Sequence, residues 1–190
     1  MVDSFEFGGS ARFDKMAACR TTTRIMLEAL KEWKRGKLTM AKTAKHWKRG
    51  RGKLGVLAPL IGTWKATTTS PMGPISCTRT FAPVMRGNYI QLSARWEIGK
   101  GIYEETAMIG QNRDGEVAFW SFTSDGKNSN GTLSDVSDIH PEGIGFEAQM
   151  PAGVARMVYW PDDAGGFYWA VESKNKKGWK RFTEHHYKPV

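Results

Sequence analysis

The chain has 190 residues, 40% of them hydrophobic, with a formal net charge of +9; this is enough apolar material for one core plus an extension, and it excludes wholesale disorder. No run of 18 or more apolar residues occurs, which excludes a membrane-spanning helix from the sequence pattern. Cys19 and Cys77 fit neither a disulfide framework nor a metal knuckle, the first residues lack the basic-then-apolar order of a secretory signal, and the expected compartment is a reducing, cytoplasmic one.

The charge is unevenly placed. Residues 1–57 carry 14 Lys/Arg against 5 Asp/Glu, whereas residues 58–190 carry 14 of each. From Arg12 to Lys34 a helical period places Ile25, Leu27, Leu30 and Trp33 on one face, and Gly36 is the expected stop. The stretch 31–53 holds ten basic residues and one acid, Glu32. It reads as a linker or a second short helix. It is either a solvated tail or a weak, non-specific contact for nucleic acid or an anionic membrane. Residues 1–56 are therefore read as a basic, partly helical or flexible extension, and 57–190 as the folded domain.

Strand-like sequence starts at Leu60-Ile61-Gly62-Thr63-Trp64. Strands are predicted near 62–69, 75–84, 88–98, 102–111, 116–124, 130–138, 143–150, 153–160, 166–174 and 178–188. The turns between most of them are Gly- and Asp-rich, such as Asn112-Arg113-Asp114-Gly115 and Ser124-Asp125-Gly126-Lys127, which is hairpin chemistry. No helix-length segment interrupts the series. The predicted fold is all-β, an antiparallel up-and-down barrel of about ten strands, because closure removes exposed edges.

Alternation assigns the faces. Ile90, Leu92, Ala94, Trp96 and Ile98 share one face of the third strand. Ile144, Phe146, Ala148 and Met150 share one of the seventh, and Phe167, Trp169 and Val171 one of the ninth. The fifth strand is apolar on both sides, with Val117 and Phe119 on one and Ala118, Trp120 and Phe122 on the other. Its outer side calls for a cover, either the N-terminal helix or another subunit in a homodimer.

Gly62-Thr63-Trp64 at the head of a ten-strand meander resembles the calycin superfamily of lipocalins, fatty-acid-binding proteins and nitrobindins. A nearer resemblance is to a bacterial domain-of-unknown-function family of calycin-like barrels. It is carried by Leu57-Ala58-Pro59-Leu60-Ile61-Gly62-Thr63-Trp64, by Gly110-Gln111-Asn112-Arg113-Asp114-Gly115 and by Phe119-Trp120-Ser121-Phe122-Thr123-Ser124-Asp125-Gly126. The resemblance implies a barrel with an internal cavity over residues 57–190, and a basic side chain from the last strand, Arg181 or Lys180, packed across the Trp64 indole. Likeness to nitrobindins adds an alternative in which His185 or His186 ligates haem; otherwise no cofactor is expected.

The expected function is non-catalytic binding of a small apolar or amphipathic molecule. The candidate cavity residues are Trp64, Trp96, Phe119, Trp120, Phe146, Trp169, Arg181 and His185. No nucleophile elbow, phosphate-binding loop or dinucleotide fingerprint is present. The acid–base alternative would bring Glu105 together with Glu172, or either of them with His185, inside the barrel. Adjacent strand residues point to opposite faces, so His185 and His186 cannot both enter it.

Overall fold

The computed structural model describes residues 46–70 and 73–190. The helix expected over 12–34 and the part of the basic stretch before His46 lie outside the described residues. Ten antiparallel strands form one closed barrel in the order β1-β10-β9-β8-β7-β6-β5-β4-β3-β2. They are β1 (Gly62–Ser70), β2 (Gly73–Val84), β3 (Tyr89–Ile98), β4 (Gly101–Gln111), β5 (Val117–Thr123), β6 (Asn128–Ser134), β7 (Ile144–Met150), β8 (Gly153–Pro161), β9 (Phe167–Asn175) and β10 (Gly178–Pro189). Pairing is longest between β2 and β3, at ten residue pairs, and runs to nine between β3 and β4. It is thinnest at the β1–β10 seam, held by Trp64↔Pro189 and Lys65↔Lys188. Among the described residues no helix is long and apolar enough to cross a membrane.

The meander puts all chain reversals at two ends. One end is plugged. A 3₁₀ segment, Lys53–Leu60, lays Leu57 and Leu60, both fully buried, across the barrel mouth. Gly62 then takes φ +128°, a backbone conformation that favours glycine. The turn it makes lets the Trp64 indole fold back and donate to the Leu60 carbonyl at 2.7 Å. The Gly-x-Trp motif is thus a hinge and a latch between plug and wall.

Phe167 is the hub of this end. Its ring packs against Trp64 at 5.0 Å, Tyr187 at 5.1 Å, Tyr159 at 5.8 Å and Trp47 at 6.2 Å. Trp47 is 3% exposed and donates its indole N–H to the Glu142 carbonyl at 2.9 Å. His46 Nε2 lies 3.0 Å from the Gly166 carbonyl oxygen. The packed unit therefore takes in residues 46–56, which composition assigns to the extension. Their cations mask one large indole that the core needs.

The sixth predicted strand ends early. Asp135 accepts hydrogen bonds from the Ser137 backbone N–H at 2.9 Å and hydroxyl at 3.1 Å, a local turn that competes with the ladder. The chain then loops so that Val136, 2% exposed, is tucked over Gly145.

In β10 Arg181 and His185, both expected in the cavity, fall on opposite faces. A register shift between Arg181 and Thr183 inserts one residue and reverses the alternation. Arg181 lies opposite Glu172, while Thr183, His185 and Tyr187 lie opposite Val171, Trp169 and Phe167. Trp179 and Arg181 are therefore on the outside, and Thr183, His185 and Tyr187 on the inside.

Candidate functional site

The second strand carries Cys77, Arg79 and Phe81 on its inner face, all at most 1% exposed. An arginine at mid-barrel must find partners for its charge. Arg79 Nε donates to the Tyr187 hydroxyl at 3.0 Å and Nη1 to the Tyr159 hydroxyl at 3.1 Å. The guanidinium lies over the Trp169 ring at 4.0 Å and near Trp96 at 5.6 Å, which adds cation–π attraction. Nη2 faces Glu105 Oε2 at 3.9 Å, and Glu105 Oε1 accepts from the Ser121 hydroxyl at 2.7 Å.

The electrostatics follow from this packing. Burial opposes the Arg79 charge, but Tyr187, Tyr159, Glu105 and Cys77 outweigh it and hold the guanidinium protonated. Burial pushes the Tyr159 phenol up to about 12, against the pull of Arg79. It raises Tyr187 further still, again against Arg79. The Cys77 thiol is also raised by burial, so it is an inert neighbour rather than a nucleophile.

This cluster is the floor of the open end. Beyond it lies a cavity of about 350 Å³ whose wall includes Phe119, Phe146, Ala148, Met150, Met157 and Val171. A second hollow of about 300 Å³ adjoins it, an alcove where Arg79, Tyr103, Ser121, Thr123, Lys127 and Asn128 stand in the wall beside Trp96. The two share Glu105, Ser129, Met150 and Trp169 in their walls. Pairing of β6 with β7 is confined to Thr132–Ser134 against Gly145–Glu147. Ser129, Ala148 and Met150, beyond that pairing, stand in the cavity wall.

Of the eight cavity residues expected from sequence, Trp96, Phe119, Phe146 and Trp169 line the space. His185 is inside the barrel but packed against the rings of Trp96 at 5.0 Å and Trp169 at 5.9 Å. Trp64 belongs to the plug. Trp120 is on the outer face of β5, because Phe119 and Ser121 take the inner one. Its neighbour Phe122 is 59% exposed.

Arg181 does not cover Trp64, since the bulge turns it outward. There it bonds Glu172 at 2.9 Å and lies 5.1 Å from the Trp160 ring. Phe167 takes the expected place beside Trp64. Glu172 is likewise outside, only 5% exposed because Arg156 and Arg181 enclose it. It therefore cannot meet Glu105.

The two histidines of the haem alternative lie on opposite faces of β10. His186 is on the outer face, stacked on Tyr168 and paired with Asp162. His185 Nε2 is 3.1 Å from the Thr183 hydroxyl, and neither histidine lines the cavity. Among the described residues no group of three or more His, Cys, Asp or Glu side chains is placed to hold a metal ion. Burial and the nearby Arg79 lower the His185 pKa, with Glu184 opposing.

Sequence reasoning did not single out Arg79. The signal was present: Cys77 and Phe81, two residues to either side, put Arg79 on an apolar face. No protein-family model and no curated protein matches this chain. The closed ten-strand antiparallel barrel is consistent with a calycin-like fold.

Proposed function

We propose that the barrel binds one small amphipathic molecule at its open end, without chemistry on it. The apolar part of the ligand lies along Phe119, Phe146, Met150 and Val171, and its polar head reaches the Arg79–Glu105 floor. The observation that carries this reading is the junction of an apolar chamber with an alcove that holds Arg79 and Glu105, over one shared set of walls. Binding pockets of this kind are mostly apolar with a few convergent polar groups. A guanidinium fixed by two phenols is preorganised, so ordering it costs little on binding.

The test is titration with the uncharged dye Nile red, followed by its fluorescence, in the wild type and in Ala148→Phe. Ala148 lines the chamber, so the larger ring enters free space. Thermal stability should hold while dye binding falls by about tenfold or more, the loss of one good apolar contact surface. Unchanged dye binding in a folded Ala148→Phe protein would sink the reading. Native mass spectrometry of protein purified without added ligand then names whatever molecule is retained.

A further inference from the structure

We infer that the head group recognised at the floor is uncharged and carries a hydrogen-bond donor beside an acceptor, as a primary amide does. This rests on the cavity reading above and refines it. Several polar atoms of the floor are already engaged. Arg79 gives Nε to Tyr187 and Nη1 to Tyr159. Glu105 Oε1 already accepts from the Ser121 hydroxyl. Nη2, a donor, and Oε2, an acceptor, face each other.

Their separation is 3.9 Å, too long for a direct hydrogen bond, which closes at about 2.9 Å. A gap of that width between opposite partners accommodates a bridging group. Both residues line the alcove, so the gap is reached from the cavity. An amide oxygen there accepts from Nη2, and the amide N–H donates to Oε2. Both facing atoms gain a hydrogen bond, and the net charge of the floor does not change.

A carboxylate or phosphate is served less well. Its attraction to Arg79 is offset by Glu105, and its second oxygen would face Oε2 with like charge and no proton between them. In a wall shielded from water that repulsion is only weakly screened. An ammonium meets the mirror problem, since Glu105 attracts it while the Arg79 guanidinium repels it. The remaining alcove cation, Lys127, is 81% exposed and paired with Asp125, so it adds little charge to the floor.

The experiment uses the full chain and three probes of one length: decanamide, decanoate and decanol, each competing against Nile red at neutral pH. Decanamide should bind about tenfold or more tighter than decanoate, the value of one hydrogen bond to a charged partner plus the avoided repulsion, with decanol between them. Glu105→Gln removes the like charge and leaves Arg79 uncompensated, so decanoate should gain about tenfold. If decanoate equals or outbinds decanamide in the wild type, the head-group assignment is overturned while the cavity reading stands. If Nile red and all three probes fail to bind, the cavity reading itself falls. Should Glu105→Gln not fold, as judged by circular dichroism, the wild-type ratio alone decides.

Discussion

The two ends of this barrel are made from the same strands and differ in what they enclose. Along β9 the inward residues run Phe167, Trp169, Val171, Ser173 from the plugged end to the open one. Along β7 they run Ile144, Phe146, Ala148, Met150, and along β5 Val117, Phe119, Ser121, Thr123. Polarity rises in that direction along β9 and β5, while β7 stays apolar and narrows only at Ala148. The backbone geometry that closes ten strands leaves room inside, and inward side-chain volume decides how much of it is filled. At the plugged end the barrel's own rings do this, aided by Leu57 and Leu60 from outside the sheet. At the open end shorter side chains leave a hollow. Arg79 sits at the border, bonded to plug aromatics on one side and facing the cavity on the other.

The largest test of that border removes Arg79. Arg79→Met leaves Glu105 and two buried phenols without their common partner and should cost about 3–5 kcal/mol in unfolding free energy, measured by urea denaturation. The double variant Arg79→Met/Glu105→Gln leaves no unpaired charge and should lose clearly less than the sum of its parts. Additive losses would mean that the two residues are not coupled across the floor.

The contrast between the ends is tested by matched truncations. Leu60→Ala removes a fully buried plug residue and should cost about 2–5 kcal/mol. Met150→Ala removes a partly exposed side chain that already borders empty space and should cost about 1 kcal/mol or less. Equal losses would show the open end to be packed as tightly as the plug. Tyr159→Phe, which deletes one bond to the guanidinium, should cost about 1.5–3 kcal/mol, between those two truncations. That variant should also soften alkaline unfolding. Because the folded phenol is raised to about 12, the unfolded chain ionises first, so stability is full below the ordinary tyrosine value of 10.0 and falls as pH rises from there toward the folded value.

The strand series was legible because turn chemistry and period-2 alternation agree throughout this sequence. Nine of the ten expected strands begin and end within two residues of the observed ones. Where reading failed, a local device broke the period. The extra residue in β10 reversed Arg181, and the Asp135 side chain stopped β6 before Asp138. Trp120 was misplaced for a different reason: β5 is apolar on both faces, so hydrophobicity cannot say which indole faces in. The floor was half legible. Glu105 drew notice only as one carboxylate of a possible acid–base pair. Arg79 did not, because an arginine among threonines reads as solvent-facing unless its neighbours at two-residue spacing are weighed first. The Glu105–Arg79 pairing itself depends on the register of β2, β3 and β4, which no local pattern encodes.

The smallest effect expected is also the one that separates inside from outside most sharply. His185, within the barrel, has its pKa lowered from 6.5 by burial and by Arg79. Above that ordinary value it is neutral in both states and its contribution is constant. As pH falls through about 6.5 the unfolded chain takes up the proton first, so stability declines until the folded value is passed and then levels. Asp162, on the rim of the plugged end, acts lower. Burial would raise its pKa, but the pairing with His186 and the N–H groups of Gly166 and Ala164 lower it below 3.8. Its stabilisation is present above that ordinary value and is lost as pH falls through the folded one. His185→Phe fits the aromatic slot between Trp96 and Trp169, and it should abolish the first decline in melting temperature while leaving the second. A variant that keeps the decline beginning near pH 6.5 would show that the interior histidine is not its source. The pH response would then belong to the outer surface, not to the enclosed floor.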